Sequence, residues 1–228
     1  MKTVVVLSGA GVSAESGINT FRGADGLWEG HDIYEVASPQ GWNNNPALVL
    51  DFYNKRRRQL KEVKPNEAHL AIAQLESSFN VNVITQNVDD LHERSGSSNV
   101  VHLHGQLLKA RSTFDEQLVY DWHEDIVLGD FCEHQSQLRP HIVWFGEMVP
   151  MIEPAALLVS KADFIMVVGT SMQVYPAASL VHYRKPGVPI YFIDPKPSIR
   201  ENEMNDLIII PEKATSGVPK AIRLLTHK

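Results

Sequence analysis

The sequence predicts an α/β protein with a doubly wound parallel sheet. Two observations carry that reading. Short β-rich runs alternate with helical patterns along the chain, and several runs are apolar without interruption, as strands covered on both faces must be. With 228 residues, 43% apolar and 21% charged, the chain can bury one sizeable core and carry a small inserted module. We expect a single domain, 1–228, whose core is formed by 1–16, 80–105 and 141–228, with a loop and helical insert at 17–79 and a small module at 106–140.

The first strand is Val4–Leu7, aliphatic residues closed by Ser8 and Gly9. Gly17–Trp42 has neither helical nor strand periodicity, and its length marks a lid or binding loop. Asn45 and Pro46 form an N-cap and first-turn pair, so a helix runs over Pro46–Leu60; Glu67–Ser77 is the next. Val81–Thr85 and Val100–His104 read as strands, and alternation in the latter sets His102 and His104 opposite Val101 and Leu103. Gln106–Pro140 is polar and irregular. Beyond it, the strands Ile142–Phe145, Phe164–Gly169, Pro189–Asp194 and Leu207–Ile210 alternate with the helices Pro154–Lys161, Pro176–Tyr183 and Val218–Leu225.

A net charge of −6 argues against a general nucleic-acid or anionic-membrane binder, and no apolar run reaches the ~18 residues that span a bilayer. The single cysteine, Cys132, forms no internal disulfide, and the chain opens on a strand-like run rather than a leader, so a cytoplasmic monomer is expected.

Three strand ends carry small and polar residues. Gly-Ala-Gly-Val-Ser-Ala (Gly9–Ala14) follows the first strand in a G-x-G-x-x-A pattern, which suits either a Rossmann-like dinucleotide turn or a tight strand-to-helix turn that needs small residues. The acidic residue that should close a second strand ~20 residues on is missing, so a hydride-transfer layout is absent. Thr85–His92 and Gly169–Pro176 end two further strands on the edge where open α/β sheets place ligand groups. His104, beside Gly105, is either a general base or a hydrogen-bonded structural histidine. No Ser-centred nucleophile elbow is present. On the Pro46–Leu60 helix, Val49, Phe52, Tyr53, Arg56 and Leu60 share one stripe, Lys55 and Arg58 lie on the far side, and Arg57 sits at the edge. An arginine in an apolar stripe needs an anion, supplied by the protein or by a ligand, unless its head reaches solvent.

The stretches GAGVSAESGINTFRG, PNEAHLAIA, ITQNVDDLHERSG, HLHG, LRPHIVWFGE and GTSMQVYPAA together resemble a sirtuin, an NAD-dependent protein-lysine deacylase. The resemblance spans nearly the whole chain. It implies NAD as cofactor, acylated lysine side chains of proteins as partners, and nicotinamide, O-acyl-ADP-ribose and free lysine as products. By that resemblance His104 is the base and Asn87 a second catalytic residue. Gly9, Ala10, Gly11, Phe21, Arg22, Gln86, Asn87, Val88 and Asp89 would hold the ribose and nicotinamide side, with Val88 where isoleucine is commoner. Gly169, Thr170, Ser171, Asp194 and Ala214 would hold the adenosine half, and Val143, Phe145, Gly146 and Glu147 would pair with the substrate peptide as an added strand.

The sequence departs from the family at its zinc ribbon, where the four ligand places are Ser112, Asp115, Cys132 and Gln135. We expect no zinc; a rearranged site around Asp115, His123, Cys132 and His134 stays open. Without metal the module needs its own core, with Phe114, Leu118, Tyr120, Trp122, Ile126, Leu128 and Phe131 as candidates. Tyr53-Asn54-Lys55-Arg56 matches the Tyr-x-x-Arg of sirtuins that read the carboxylate of succinyl-, malonyl- or glutaryl-lysine, and Ala37 matches the small residue that widens their acyl pocket. A planar guanidinium suits that task. The alternatives are a deacetylase, a mono-ADP-ribosyltransferase, or a non-catalytic NAD or ADP-ribose sensor.

Overall fold

The structure, a computed structural model, describes residues 1–19, 27–172, 174–200, 202 and 204–226. β1 (Thr3–Ser8) is followed by the short hairpin of β2 (Leu27–Trp28) and β3 (His31–Asp32), then by α1 (Ile33–Val36), α2 (Pro39–Asn44), α3 (Pro46–Glu62) and α4 (Glu67–Gln74). Next come β4 (Asn80–Thr85), α5 (Leu91–Arg94) and β5 (Val100–His102), then the module strands β6 (Gly105–Ser112), β7 (Val119–Asp121) and β8 (Leu138–Ile142). α6 (Ile152–Val159), β9 (Phe164–Val168), β10 (Ile190–Ile193), β11 (Leu207–Ile210) and α7 (Ala214–Thr226) follow.

Six strands form a parallel sheet in the order β11-β10-β9-β1-β4-β5, with helices on both faces. Alternation splits the aliphatic run of β1 between them. Val4 and Val6 pack with Ala68 and Ile72 of α4 and Val218 and Leu225 of α7, while Val5 and Leu7 face Ala155 and Val159 of α6. Each fully buried valine or leucine contributes roughly 1.5–3 kcal/mol relative to exposure. A third cluster joins Val36, Val49, Phe52, Tyr53, Leu60, Leu91 and Trp144 beneath the C-terminal sheet edge.

Several expectations need correction. The strand expected at Ile142–Phe145 is instead β8, Leu138–Ile142. It lies at the edge of the β7-β6-β8 sheet, where Pro140 is tolerated because it leaves no central ladder bond unmade. β5 ends at His102 rather than His104, and Gly105, at φ +83°, turns the chain into β6. The region 106–140, expected to be irregular, carries the strands of this antiparallel sheet, with irregular segments between them. Pro176–Tyr183 is a 3-10 helix over Ala177–Tyr183. α7 begins one turn before the expected Val218, because Pro219 lies inside it rather than at its first turn. In the module, Ile126 is buried with Ala110, Cys132 and Leu138, and Tyr120 and Trp122 flank them. Phe114, Leu128 and Phe131 are exposed, so the small core forms without them.

Candidate active site

The sheet reverses its winding at β1, which has β4 on one side and β9 on the other. The crevice outside the C-terminal ends of those strands is where an open α/β sheet takes a ligand. Here it is a cleft lined by Gly9, Ala10 and Gly11 after β1, Gln86–Asp89 after β4, Gly169–Ser171 after β9, and His104. The glycines are dictated by backbone approach: a Cβ on Gly11 would stand 2.6 Å from the Gly169 Cα, and one on Gly9 2.7 Å from the Thr170 Cβ. Their N–H groups are already donated, Gly9 to the Val168 carbonyl at 3.0 Å and Gly11 to that of Gly169 at 2.8 Å. Along these two turns the N–H groups of Ala10, Thr170 and Ser171 have no internal partner among the described residues. An anionic, diphosphate-bearing ligand suits that lining.

A buried polar chain sits behind this turn, and its direction follows from elementary hydrogen-bond rules. The Asn66 amide can only donate, so it donates to His69 Nδ1 at 3.3 Å, and the neutral ring then carries its proton on Nε2. Nε2–H donates to Ser13 Oγ at 3.4 Å, Asn87 Nδ2 donates to the same oxygen at 3.1 Å, and Ser13 Oγ–H donates to Asp89 Oδ2 at 3.0 Å. Burial holds His69 down at about 4 and pushes Asp89 up to about 6, the latter opposed by the Leu91 amide and Ser13.

His104 donates Nδ1–H to the Gln86 carbonyl at 3.0 Å, which leaves Nε2 unprotonated in a ring that lines the cleft. Burial lowers its pKa, with the Gln86 carbonyl opposing. His102 differs: its Nδ1 lies 3.0 Å from the Asn87 carbonyl and its Nε2 2.6 Å from the Glu93 carboxylate, so both nitrogens donate. Burial pushes its pKa down, but Glu93 and the Asn87 carbonyl outweigh that, and the pKa is raised. His102 thus sits behind the Asn87 backbone with both ring nitrogens held by acceptors, an arrangement that favours its protonated form. Ser13, His69 and Glu93 were not singled out in the sequence. The signals for Ser13 and His69 were a hydroxyl inside a glycine turn and a histidine three residues after a helix N-cap.

The other end of the cleft is lined by Ala37, Tyr53, Val143, Trp144 and Phe145–Glu147. Glu147 receives Arg139 at 2.7 Å and Arg111 at 3.1 Å, and the Trp144 amide at 2.8 Å. Arg56 is half-buried rather than on the cleft wall: Nη1 donates to its own helix at Phe52 O, 2.6 Å away, and the guanidinium lies 3.2 Å over the Phe52 ring and 5.1 Å from that of Trp28. Among the described residues no carboxylate pairs with it. Arg57, placed at the stripe edge by the helical phase, is fully buried and donates to Leu107 O and Asn54 Oδ1. Lys55, Arg58 and Lys61 are matched by Asp51, Asp125 and Glu124, so the basic run leaves no polyanion patch.

The profile of the Sir2 family matches residues 9–176, which span the glycine turn, His104 and Gly169–Ser171. The chain belongs to the Sir2 family. A Helicobacter pylori relative of this sirtuin, described as an NAD-dependent protein deacylase, is 63% identical over 196 residues, covering 86% of each chain. A Bacteroides thetaiotaomicron relative of the same description is 50% identical over 99% of this chain and 98% of its own. A solved Sir2 homologue in complex with NAD superposes with a TM-score of 0.87 at 40% identity, covering 99% of this chain and 90% of that one. A Sir2 variant solved with a p53 peptide and NAD gives 0.79 at 28% identity, covering 99% and 94%.

Most residues expected to form the sirtuin's site converge on one cleft. Phe21 and Arg22 lie outside the described residues, and so does part of the 17–42 loop. Asp194 and Ala214 are buried and do not line the cleft. At the zinc-ribbon places, Ser112 Oγ accepts the Phe114 and Asp115 amides and lies 3.2 Å from Cys132 Sγ, Asp115 caps the Gln117 amide, and Gln135 is exposed. Those donors do not form a zinc set, and among the described residues no group of three His, Cys, Asp or Glu could hold a metal. Among the same residues no helix is long and apolar enough to cross a membrane.

Proposed function

We propose that this sirtuin removes acyl groups from protein lysines with NAD as co-substrate, prefers succinyl and malonyl to acetyl, and needs no structural zinc. The observation that carries the acyl preference is Arg56: a half-buried guanidinium with no carboxylate partner among the described residues, one helical turn from the Tyr53 hydroxyl. Burial lowers its pKa to about 10, with Glu29 and Tyr53 opposing, so it stays charged at neutral pH and its desolvation is only partly offset. A carboxylate at the end of an acyl chain would relieve that cost.

Bound NAD supplies a ribose carbon activated by its nicotinamide leaving group. The chain's own residues do the rest. Gly9 and Gly11 would allow close approach, and the free N–H groups of Ala10, Thr170 and Ser171 would suit the diphosphate. Asn87 is held by Ser13 and, through its carbonyl, by His102. His104 takes a ribose hydroxyl proton at Nε2. The Val143, Trp144 and Phe145 amides are donated to His104 O, Glu147 and Ala37 O, so a substrate peptide would use this segment's carbonyls and Gly146.

A second reading, chiefly a deacetylase, is favoured by the position of Arg56 off the cleft wall. Both readings are separated by kcat/KM on one peptide bearing acetyl-, malonyl- or succinyl-lysine. Wild type should favour the acidic groups, and Arg56→Met should lose that preference by ~30–1,000-fold, as removal of a desolvated charge partner costs roughly 2–4 kcal/mol. An equal loss on all three substrates would refute the carboxylate-reading role.

A further inference from the structure

We infer that Trp144 determines acyl specificity by orienting Tyr53: its indole N–H occupies the phenol oxygen as an acceptor, which commits the Tyr53 O–H to donating into the cleft. The inference rests on the acidic-acyl reading and adds a residue to it.

Trp144 Nε1 lies 3.1 Å from the Tyr53 hydroxyl. An indole N–H can only donate, so the phenol oxygen accepts. Among the described residues the phenol proton has no acceptor, and Tyr53, though fully buried, lines the cleft, so a ligand group that reaches the phenol there can accept that proton. Neither ring is free to turn away. Tyr53 is fully buried and meets Phe52 and Trp28 edge-on at 5.2 and 6.3 Å. Trp144 is pinned by its backbone bond to Glu147, and the Arg139 guanidinium covers its ring face at 3.2 Å. Arg111 and Arg139 share the single carboxylate of Glu147, so one positive charge stays uncompensated behind the indole.

This wall is a fixed donor backed by positive charge. An acyl chain ending in a methyl leaves the donor unmet, whereas a terminal carboxylate satisfies it. Trp144→Phe keeps an aromatic side chain, smaller than the indole, and removes the N–H, so the phenol is no longer committed.

The test is the ratio of kcat/KM for succinyl- over acetyl-lysine on one peptide, for wild type, Trp144→Phe, Tyr53→Phe and the double variant. We expect each single variant to lower the ratio about tenfold, through a raised KM for the succinyl peptide. The double variant should fall no further than Tyr53→Phe, because Trp144 acts through Tyr53. An independent readout is the indole N–H spectrum of the four tryptophans, in which Tyr53→Phe should move the Trp144 signal. A Trp144→Phe ratio equal to wild type, or losses that multiply in the double variant, overturns the inference alone. A wild-type ratio at or below one overturns the acidic-acyl reading and this inference with it. If Trp144→Phe does not fold, the indole spectrum decides: signals unmoved by Tyr53→Phe sink the proposal.

Discussion

His102 and His104 stand two residues apart and donate Nδ1–H to adjacent carbonyls, yet their pKa values are shifted in opposite directions. Glu93 makes the difference, since among the described residues no carboxylate meets the second nitrogen of His104. A base must be neutral to act, and a folded pKa below the ordinary 6.5 keeps His104 neutral through the physiological range. We expect kcat/KM to be flat above about pH 7 and to fall on the acid side with a midpoint below ~6.5; a midpoint above neutrality would exclude His104 as the base. His104→Tyr should lower kcat by ~10²–10⁴ while NAD still binds by calorimetry. The sequence placed both histidines on one side of a strand running to His104, but β5 ends at His102 and only the bonding of the two rings to the neighbouring Asn87 and Gln86 carbonyls relates them. It could not tell them apart, because Glu93 meets His102 only once α5 has folded against β5.

Along α3, phase analysis set Tyr53 and Arg56 on one stripe and sent Lys55 and Arg58 to solvent, where the structure puts the latter two. It left Arg57 at the edge, because the surface that buries Arg57 belongs to the module sheet, whose strand β6 mixes polar and apolar residues without clean alternation. Asn54 closes that contact: it donates to Ile126 O at 2.8 Å, accepts the Ile126 amide at 2.9 Å, and receives Arg57. The helix thereby grips the module by side-chain bonds at a place where the usual metal donors are missing. Asn54→Ala should cost roughly 2–4 kcal/mol, since it strands several buried polar groups, and should raise amide exchange first around Ile126. A chelator added to wild type should leave the melting temperature unchanged; a large drop would show that metal, not this clamp, holds the module.

At the scale of the molecule, the core strands and the switch-point cleft were legible because aliphatic strands closed by small residues leave few alternatives. The buried histidines beneath the cleft were not. His69 and His92 pack ring to ring at 4.9 Å, and burial holds them at about 4 and about 3. Both stay neutral when folded but take up protons below 6.5 when unfolded, so their stabilisation is present above pH 6.5 and lost as pH falls towards 4. Asp89, raised to about 6, works the other way between pH 6 and 3.8, binding its proton first in the folded state. For these three groups the net uptake on unfolding is about one proton near pH 5–6 and less at pH 7, a slope of up to roughly 1.4 kcal/mol per pH unit. Urea unfolding at pH 7 and pH 5 should show that loss; equal stabilities would mean that these imidazoles are solvated in the fold.

The same sheet order bears on how the chain is made. β1 is the centre of the parallel sheet, yet its neighbours are distant in sequence: Val4 pairs with Val81 on one side and Phe164 on the other. At roughly 5–20 residues per second, the ~160 residues to its second partner take on the order of 10–30 s to emerge from a ribosome. For that time an aliphatic strand has at least one unpaired edge, and a nascent Thr3–Ser8 segment is a natural ligand for a holding chaperone.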